Sequence, residues 1–159
     1  MQPDTLPAAG RWQDRLLIVA VFIAGMVTLA LEISASRLLG NVFGTSNIVW
    51  ANIIGLILVY LTVGSFIGGR WADRSPFPKT FYGLLAWASF LAGVIPLVAR
   101  PVLTMAVGAV ERLDAGIMVG SFLAVLILFS LPVVLLGCVS PFAIRLAMPD
   151  PEHAGRVSG

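Results

Sequence analysis

Long apolar runs separated by short polar segments dominate this sequence. The last run, residues 115–139, holds no charged side chain over 25 positions, which exceeds the ~18 residues that mark a membrane-spanning helix. The whole pattern predicts four transmembrane helices, over residues 15–39, 48–69, 80–99 and 115–145. The expected fold is therefore all-α, a polytopic membrane helix bundle with four spans.

Polar segments and turn-forming residues set the predicted ends of these helices. Residues 1–14 form a predicted flexible lead-in, and residues 148–159 form a polar tail that is either a natural end or a truncation. Gly40 is the expected stop of the first helix, and Ser46 or Asn47 is the expected N-cap of the second. A secretory signal is the weaker interpretation of the first run, because Glu32 interrupts the cleavage region and further spans follow.

Prolines complicate the last two predicted helices. Pro96 and the pair Arg100-Pro101 predict that the third helix ends near residue 99. Residues 102–110 are too few to span a bilayer alone, so they either continue a kinked helix or lie at the interface. Pro132 predicts a kink in the fourth helix, with the freed carbonyls bonded by neighbouring helices or by the Ser130 hydroxyl.

Two pairs of glycines are spaced four residues apart within predicted helices. They are Gly64 with Gly68 and Gly116 with Gly120. Small residues at this spacing let a second helix backbone approach closely in a membrane. Both pairs are therefore candidate helix-packing sites.

Composition supports a lipid environment. The chain has 159 residues, of which 58% are hydrophobic and 11% are charged, whereas soluble domains have ~25% charged residues. A formal net charge of +2 gives no reason to expect nucleic acid as a partner. The expected partner is the lipid bilayer, and the expected location is a membrane, as a multi-pass protein.

The distribution of cations predicts the orientation of the bundle in the membrane. Four spans place both termini on one side, which then holds seven of the ten cations. Those seven are Arg11, Arg15, Arg70, Arg74, Lys79, Arg145 and Arg156, against Arg37, Arg100 and Arg112 on the other side. Since short basic loops stay cytoplasmic, both termini are predicted to be cytoplasmic.

The sequence offers no catalytic constellation. Cys138 is the only cysteine and His153 the only histidine, which leaves no expected disulfide, metal site or Ser–His arrangement. No Gly-rich loop follows a predicted strand, so no nucleotide site or other cofactor is expected.

Three positions remain as candidates for function. Glu32 is the one acidic residue inside an apolar helix, and intramembrane carboxylates are costly. A helix that enters at Arg15 puts Glu32 a few Å from the outer boundary, so it is either a bonded structural carboxylate or a proton or cation site. Asn52 needs a hydrogen-bond partner in the bundle and is either a bridge between helices or part of that site. Asp73, with Arg70 and Arg74, is either a charge cluster that fixes topology or a conformational latch.

Two separated stretches carry a family resemblance. They are residues 32–46, continuing through Trp50 to Gly64 and residues 68–74, and residues 131–146 followed by residues 155–159. In this order they resemble the N-terminal membrane region of the membrane-fused spermidine synthase-like proteins of bacteria. That resemblance implies a membrane module associated with a cytosolic aminopropyltransferase-like domain, whose catalytic motifs have no counterpart among these residues.

Residues 69–79 also resemble the loop between the second and third helices of the major facilitator superfamily. There a Gly, an Asp-Arg pair and trailing cations form a latch, whereas Pro76 stands here where that motif has Gly. The spermidine synthase-like resemblance implies an integral membrane module that anchors an assembly and handles polyamine or a related cation. The alternatives are a small oligomeric half-transporter and a purely structural subunit. Expected protein partners are a second membrane half, a copy of the chain or an aminopropyltransferase-like domain.

Overall fold

Four long α-helices form the fold. The computed structural model describes residues 8–113 and 116–147, with side chains described over 15–110 and 116–147. The helices are α1 (Ala8–Phe43), α2 (Asn47–Arg74), α3 (Pro78–Leu113) and α4 (Ile117–Ala147). Each contains a segment long and apolar enough to cross a membrane. The predicted all-α fold with four candidate spans is confirmed.

The last helix, α4, is the centre of the bundle. It packs against each of the other three helices, whereas α2 and α3 have no close backbone approach to each other in the described part of the chain. Buried positions therefore recur all around α4, including Phe129, Val133 and Phe142. Helices buried on every side need apolar residues on every side, and α4 has a single charged residue, Arg145.

The core divides into two clusters along the bundle axis. One joins the end of α1 to the start of α2 and includes Phe43, Val49 and Val125. The other joins the end of α4 to the start of α3 and includes Phe81 and Phe142, whose ring centroids are 6.0 Å apart. Consecutive helices thus run in opposite directions, and the first helix starts at the same end of the bundle at which the fourth finishes.

The first helix is the least packed of the four. In its most apolar window 6% of residues are buried, against 56% for α4. Leu16, Ile18 and Phe22 are all more than half exposed. A helix with this much uncovered apolar surface is stable only where lipid or another apolar partner surrounds it.

The helix ends differ from the predicted ones at several positions. The first helix begins at Ala8, inside the predicted lead-in, and its stop is Gly44 (φ 82°), whose N–H donates to the carbonyl of Gly40 at 3.1 Å. The predicted stop at Gly40 is wrong because the left-handed residue that ends the helix lies four positions later. Ser46, one of the two predicted candidates, is the N-cap of α2, and its hydroxyl accepts a hydrogen bond from the Val49 N–H.

The predicted break at Arg100-Pro101 is also wrong. The third helix continues through Pro96 and Pro101 to Leu113, so residues 102–110 are helical and continue it, which was the first of the two alternatives. Ala99, Leu103 and Ala106 are buried and pack in the core on both sides of the second proline. Breaking a helix in lipid would expose more backbone groups than one proline does, so continuing the helix costs less.

The second helix packs tightly against α4 through glycine. A Cβ on Gly64 would collide with the Val134 carbonyl, and a Cβ on Gly68 would lie 2.5 Å from the Cα of Cys138. On the facing helix, a Cβ on Gly137 would lie 2.8 Å from the Leu61 carbonyl oxygen. The predicted close approach at Gly64 and Gly68 is therefore confirmed.

In the second glycine pair, Gly116 and Gly120, only one glycine packs closely against other helices. Gly120 faces Phe43 and Val110, which leave no room for a Cβ, whereas Gly116 has nothing within 4 Å. Gly116 precedes the first residue of α4, so it lies outside the helix-packing surface. The prediction of close packing holds for Gly120 and is wrong for Gly116.

Candidate functional site

Asn52 connects two helices inside the bundle. Its amide nitrogen donates to the Ser121 hydroxyl at 2.8 Å and to the Met118 carbonyl at 2.9 Å, both on α4. Ser121 is fully buried and donates in turn to the Met118 carbonyl at 3.1 Å. The amide thus has its expected partner, and both of its described bonds are structural bonds between helices. Sequence reasoning missed Ser121, since nothing local relates two residues 69 positions apart.

Asp73 pairs with a cation on another helix. Its Oδ1 lies 3.4 Å from Nε of Arg145, and the Asp73 side chain is 70% exposed. The neighbouring Arg70 instead lies over the ring of Phe66, 3.8 Å from the ring centroid. The carboxylate therefore joins the last turns of α2 and α4, and the predicted cluster of Arg70, Asp73 and Arg74 forms no ion pair within itself among the described residues. Arg145 was not identified from sequence as the partner.

Glu32 lies beside the junction of the two core clusters. Its neighbour Leu31 packs against both clusters, which places this turn of α1 farther from the end of the bundle than the predicted helix bounds implied. The carboxylate is partly buried and makes no hydrogen bond or ion pair with a described residue. The nearby hydroxyls of Thr28 and Ser36 bond to the backbone of their own helix. Glu32 and Asn52 are not brought together into one polar site by any bond between described residues.

Two further polar groups lie in the core. The Tyr60 hydroxyl is buried with no hydrogen-bond partner among the described residues, and the Cys138 thiol donates to the Val134 carbonyl at 3.2 Å. Ser130 makes no hydrogen bond in the described chain, so it does not bond the carbonyls that Pro132 frees. In the part of the chain that the structure describes, no three His, Cys, Asp or Glu residues group as metal ligands would.

A groove opens between α2 and α3 near the end of the bundle that holds Asp73. It has a volume of about 380 Å³ and is lined by Trp71, Thr80, Gly83, Leu84, Trp87 and Leu135. The groove exists because α2 and α3 pack on different sides of α4, which leaves Leu135 of α4 as its floor. The sequence suggested Trp71 only as an interfacial aromatic and gave no sign of the groove.

Comparison with known protein families, with curated proteins and with solved structures found no match to this chain.

Proposed function

We propose that this chain is an integral membrane module that anchors and organises an assembly. Its main support is the interior of the bundle, which apolar and small side chains fill. Among the described residues, the buried polar groups are the hydroxyls of Ser121 and Tyr60 and the thiol of Cys138, and none of the buried side chains is charged. Pathways for ions and polar solutes are lined by polar groups, and the tight backbone contact of α2 with α4 leaves no space for such a lining.

The uncovered surface of α1 supports an assembly larger than one chain. This helix carries Glu32, which has no partner among the described residues, and exposes most of its apolar side chains. A carboxylate within a membrane is costly unless another group pairs with it. A second membrane half or a second copy of the chain would supply both the missing packing and a partner for Glu32.

The family resemblance supplies the chemistry of the proposed assembly. We propose that the assembly includes an aminopropyltransferase-like domain, which acts on polyamines on the cytoplasmic side of the bacterial inner membrane. Such a domain would lie next to the end of the bundle that holds Arg70, Arg74 and Lys79. These cations support a cytoplasmic position for that end and for both termini.

Gene deletion tests the anchoring role. In cells that encode the protein, aminopropyl transfer to a diamine is measured in the membrane pellet and in the supernatant. We expect an in-frame deletion of the codons for residues 8–147 to move this activity from the pellet to the supernatant, and restoration of those codons to return it. An unchanged distribution of the activity would refute the anchoring role.

The orientation has its own test. Thr45→Cys and Phe77→Cys place thiols in the exposed turns at opposite ends of the bundle, while the native Cys138 is buried. In intact cells, a membrane-impermeant maleimide should label Thr45→Cys and should not label Phe77→Cys. Phe77→Cys should react only after the cells are permeabilised. The reverse pattern would place both termini outside.

A small transporter that works as an oligomer is the second candidate. Glu32 favours it, because an unpaired carboxylate in a membrane helix is a candidate cation site. Purified protein in liposomes should give no uptake of labelled spermidine above that of protein-free liposomes. Saturable uptake that Glu32→Gln abolishes would reject the anchor proposal in favour of the transporter.

A further inference from the structure

The groove between α2 and α3 has the shape of a site for one lipid chain. Thr80 lies at its outer end, in the first turn of α3, and Trp87 lies seven residues further along, or ~10 Å deeper. Leu135 lies ten residues before Arg145 on α4, or ~15 Å from that end of the bundle. The groove therefore begins at the end of the bundle and runs inward for a third to a half of the ~30 Å hydrocarbon core.

Unpaired cations stand at the outer end of this groove. Arg74 follows Trp71 by three residues, and Lys79 directly precedes Thr80. Both cations are exposed, and neither forms an ion pair with a described residue. The nearest carboxylate in sequence, Asp73, is already paired with Arg145. The positive charge at the mouth of the groove is thus not neutralised by the described part of the protein.

We propose that this groove binds an anionic phospholipid, with an acyl chain between Trp71 and Trp87 and the phosphate at Arg74 and Lys79. The apolar lining suits a hydrocarbon chain, and the tryptophan rings can pack along it. The two cations distinguish an anionic headgroup from a zwitterionic one, at about fivefold in affinity for each cation near the phosphate. This inference depends on the membrane-spanning fold and is independent of the anchoring role.

Tryptophan fluorescence gives a local measurement of occupancy. Trp12→Phe and Trp50→Phe leave the two groove residues as the only tryptophans of the original four. The protein in detergent is titrated with phosphatidylglycerol whose acyl chains are brominated, because bromine quenches tryptophan that it contacts. Brominated phosphatidylcholine and soluble glycerol phosphate are titrated separately. The Cys138 thiol is buried in the folded bundle, so its failure to react with a maleimide serves as the control that each variant is folded.

Two matched pairs of variants test the two parts of the site. Arg74→Gln with Lys79→Gln removes two exposed charges at the groove, and Arg37→Gln with Arg100→Gln removes two exposed charges from the other half of the bundle. Gly83→Leu fills the groove, whereas Gly93→Leu places the same side chain on another exposed part of α3. A Cβ at either glycine has no atom within 4 Å, so each leucine begins in open space.

We expect phosphatidylglycerol to quench at concentrations well below those of phosphatidylcholine. The double variant at Arg74 and Lys79 should lose this preference, by up to about 25-fold, while the double variant at Arg37 and Arg100 keeps it. Gly83→Leu should abolish quenching, and Gly93→Leu should leave it unchanged. Equal quenching by the two lipids, or equal effects within either matched pair, would refute the site. Competition by glycerol phosphate as effective as that by the lipid would instead assign the cations to free phosphate and overturn the lipid proposal.

Discussion

Replacing Gly68 by alanine tests the close contact on which the bundle depends. The added Cβ would lie 2.5 Å from the Cα of Cys138 and 2.8 Å from its carbonyl oxygen. Carbon atoms pack best at ~3.5–4.0 Å, so the backbones of α2 and α4 must move apart by ~1 Å or more. The neighbouring Gly69 has nothing within 4 Å of its Cβ position, which makes Gly69→Ala the matched control.

The expected loss of stability follows from this geometry. Overpacking costs ~1–3 kcal/mol, and both variants share the gain of up to ~1 kcal/mol from replacing glycine within a helix. The difference between the two variants therefore isolates the packing term, at about 2 kcal/mol. For a chain of this size, that difference lowers the unfolding midpoint by ~4–8 °C.

The single cysteine supplies the assay. Cys138 is fully buried at the contact, so a maleimide dye that fluoresces on reaction reports its exposure as the detergent-solubilised protein is heated. The loss of helical circular dichroism, measured in parallel, separates local opening at Cys138 from unfolding of the whole bundle. If Gly68→Ala and Gly69→Ala react at the same temperature, within ~1 °C, the helices do not approach each other as described.

Two further predictions concern the bonds between helices. Asn52→Leu removes two hydrogen bonds to α4, one of which the buried Ser121 hydroxyl accepts, at a cost of ~0.6–1.7 kcal/mol. It should therefore lower the thiol-labelling midpoint by a few °C, whereas Asn41→Leu at an exposed position should not. Equal midpoints for the two variants would mean that the amide bridge contributes nothing. A double-mutant cycle of Asp73→Asn with Arg145→Gln should give a coupling below ~1 kcal/mol, because the pair is solvent-exposed on the Asp73 side. A coupling above ~2 kcal/mol would assign the pair a larger part in holding α2 against α4.

The features that sequence predicted well are those encoded locally. The length of each apolar run identified the four candidate spans, and a Ser before an apolar run identified the N-cap at Ser46. The spacing of Gly64 and Gly68 identified a packing surface, because small residues one turn apart leave a groove in any helix. Each of these inferences needs only residues within one helix.

What sequence could not supply is which helices meet. The partner of Asn52 is 69 residues away, and that of Asp73 is on α4 and not among the cations beside it. The path of α3 through Pro101 was mispredicted for a different reason. The prediction of a break considered only the local penalty of proline. It left out the greater cost of unbonded backbone groups at a helix end in lipid.

The central position of α4 has a consequence for biogenesis. A ribosome releases α1, α2 and α3 into the bilayer before the helix that joins them has been made, and α2 and α3 have no packing surface for each other. Until then α1 can pack only lightly against α2 and α3, and lipid tails must cover the surfaces that α4 later buries. Most of the helix packing therefore follows the insertion of α4, and a nascent chain stalled before residue 117 should leave α2 and α3 separate from each other and open to membrane proteases.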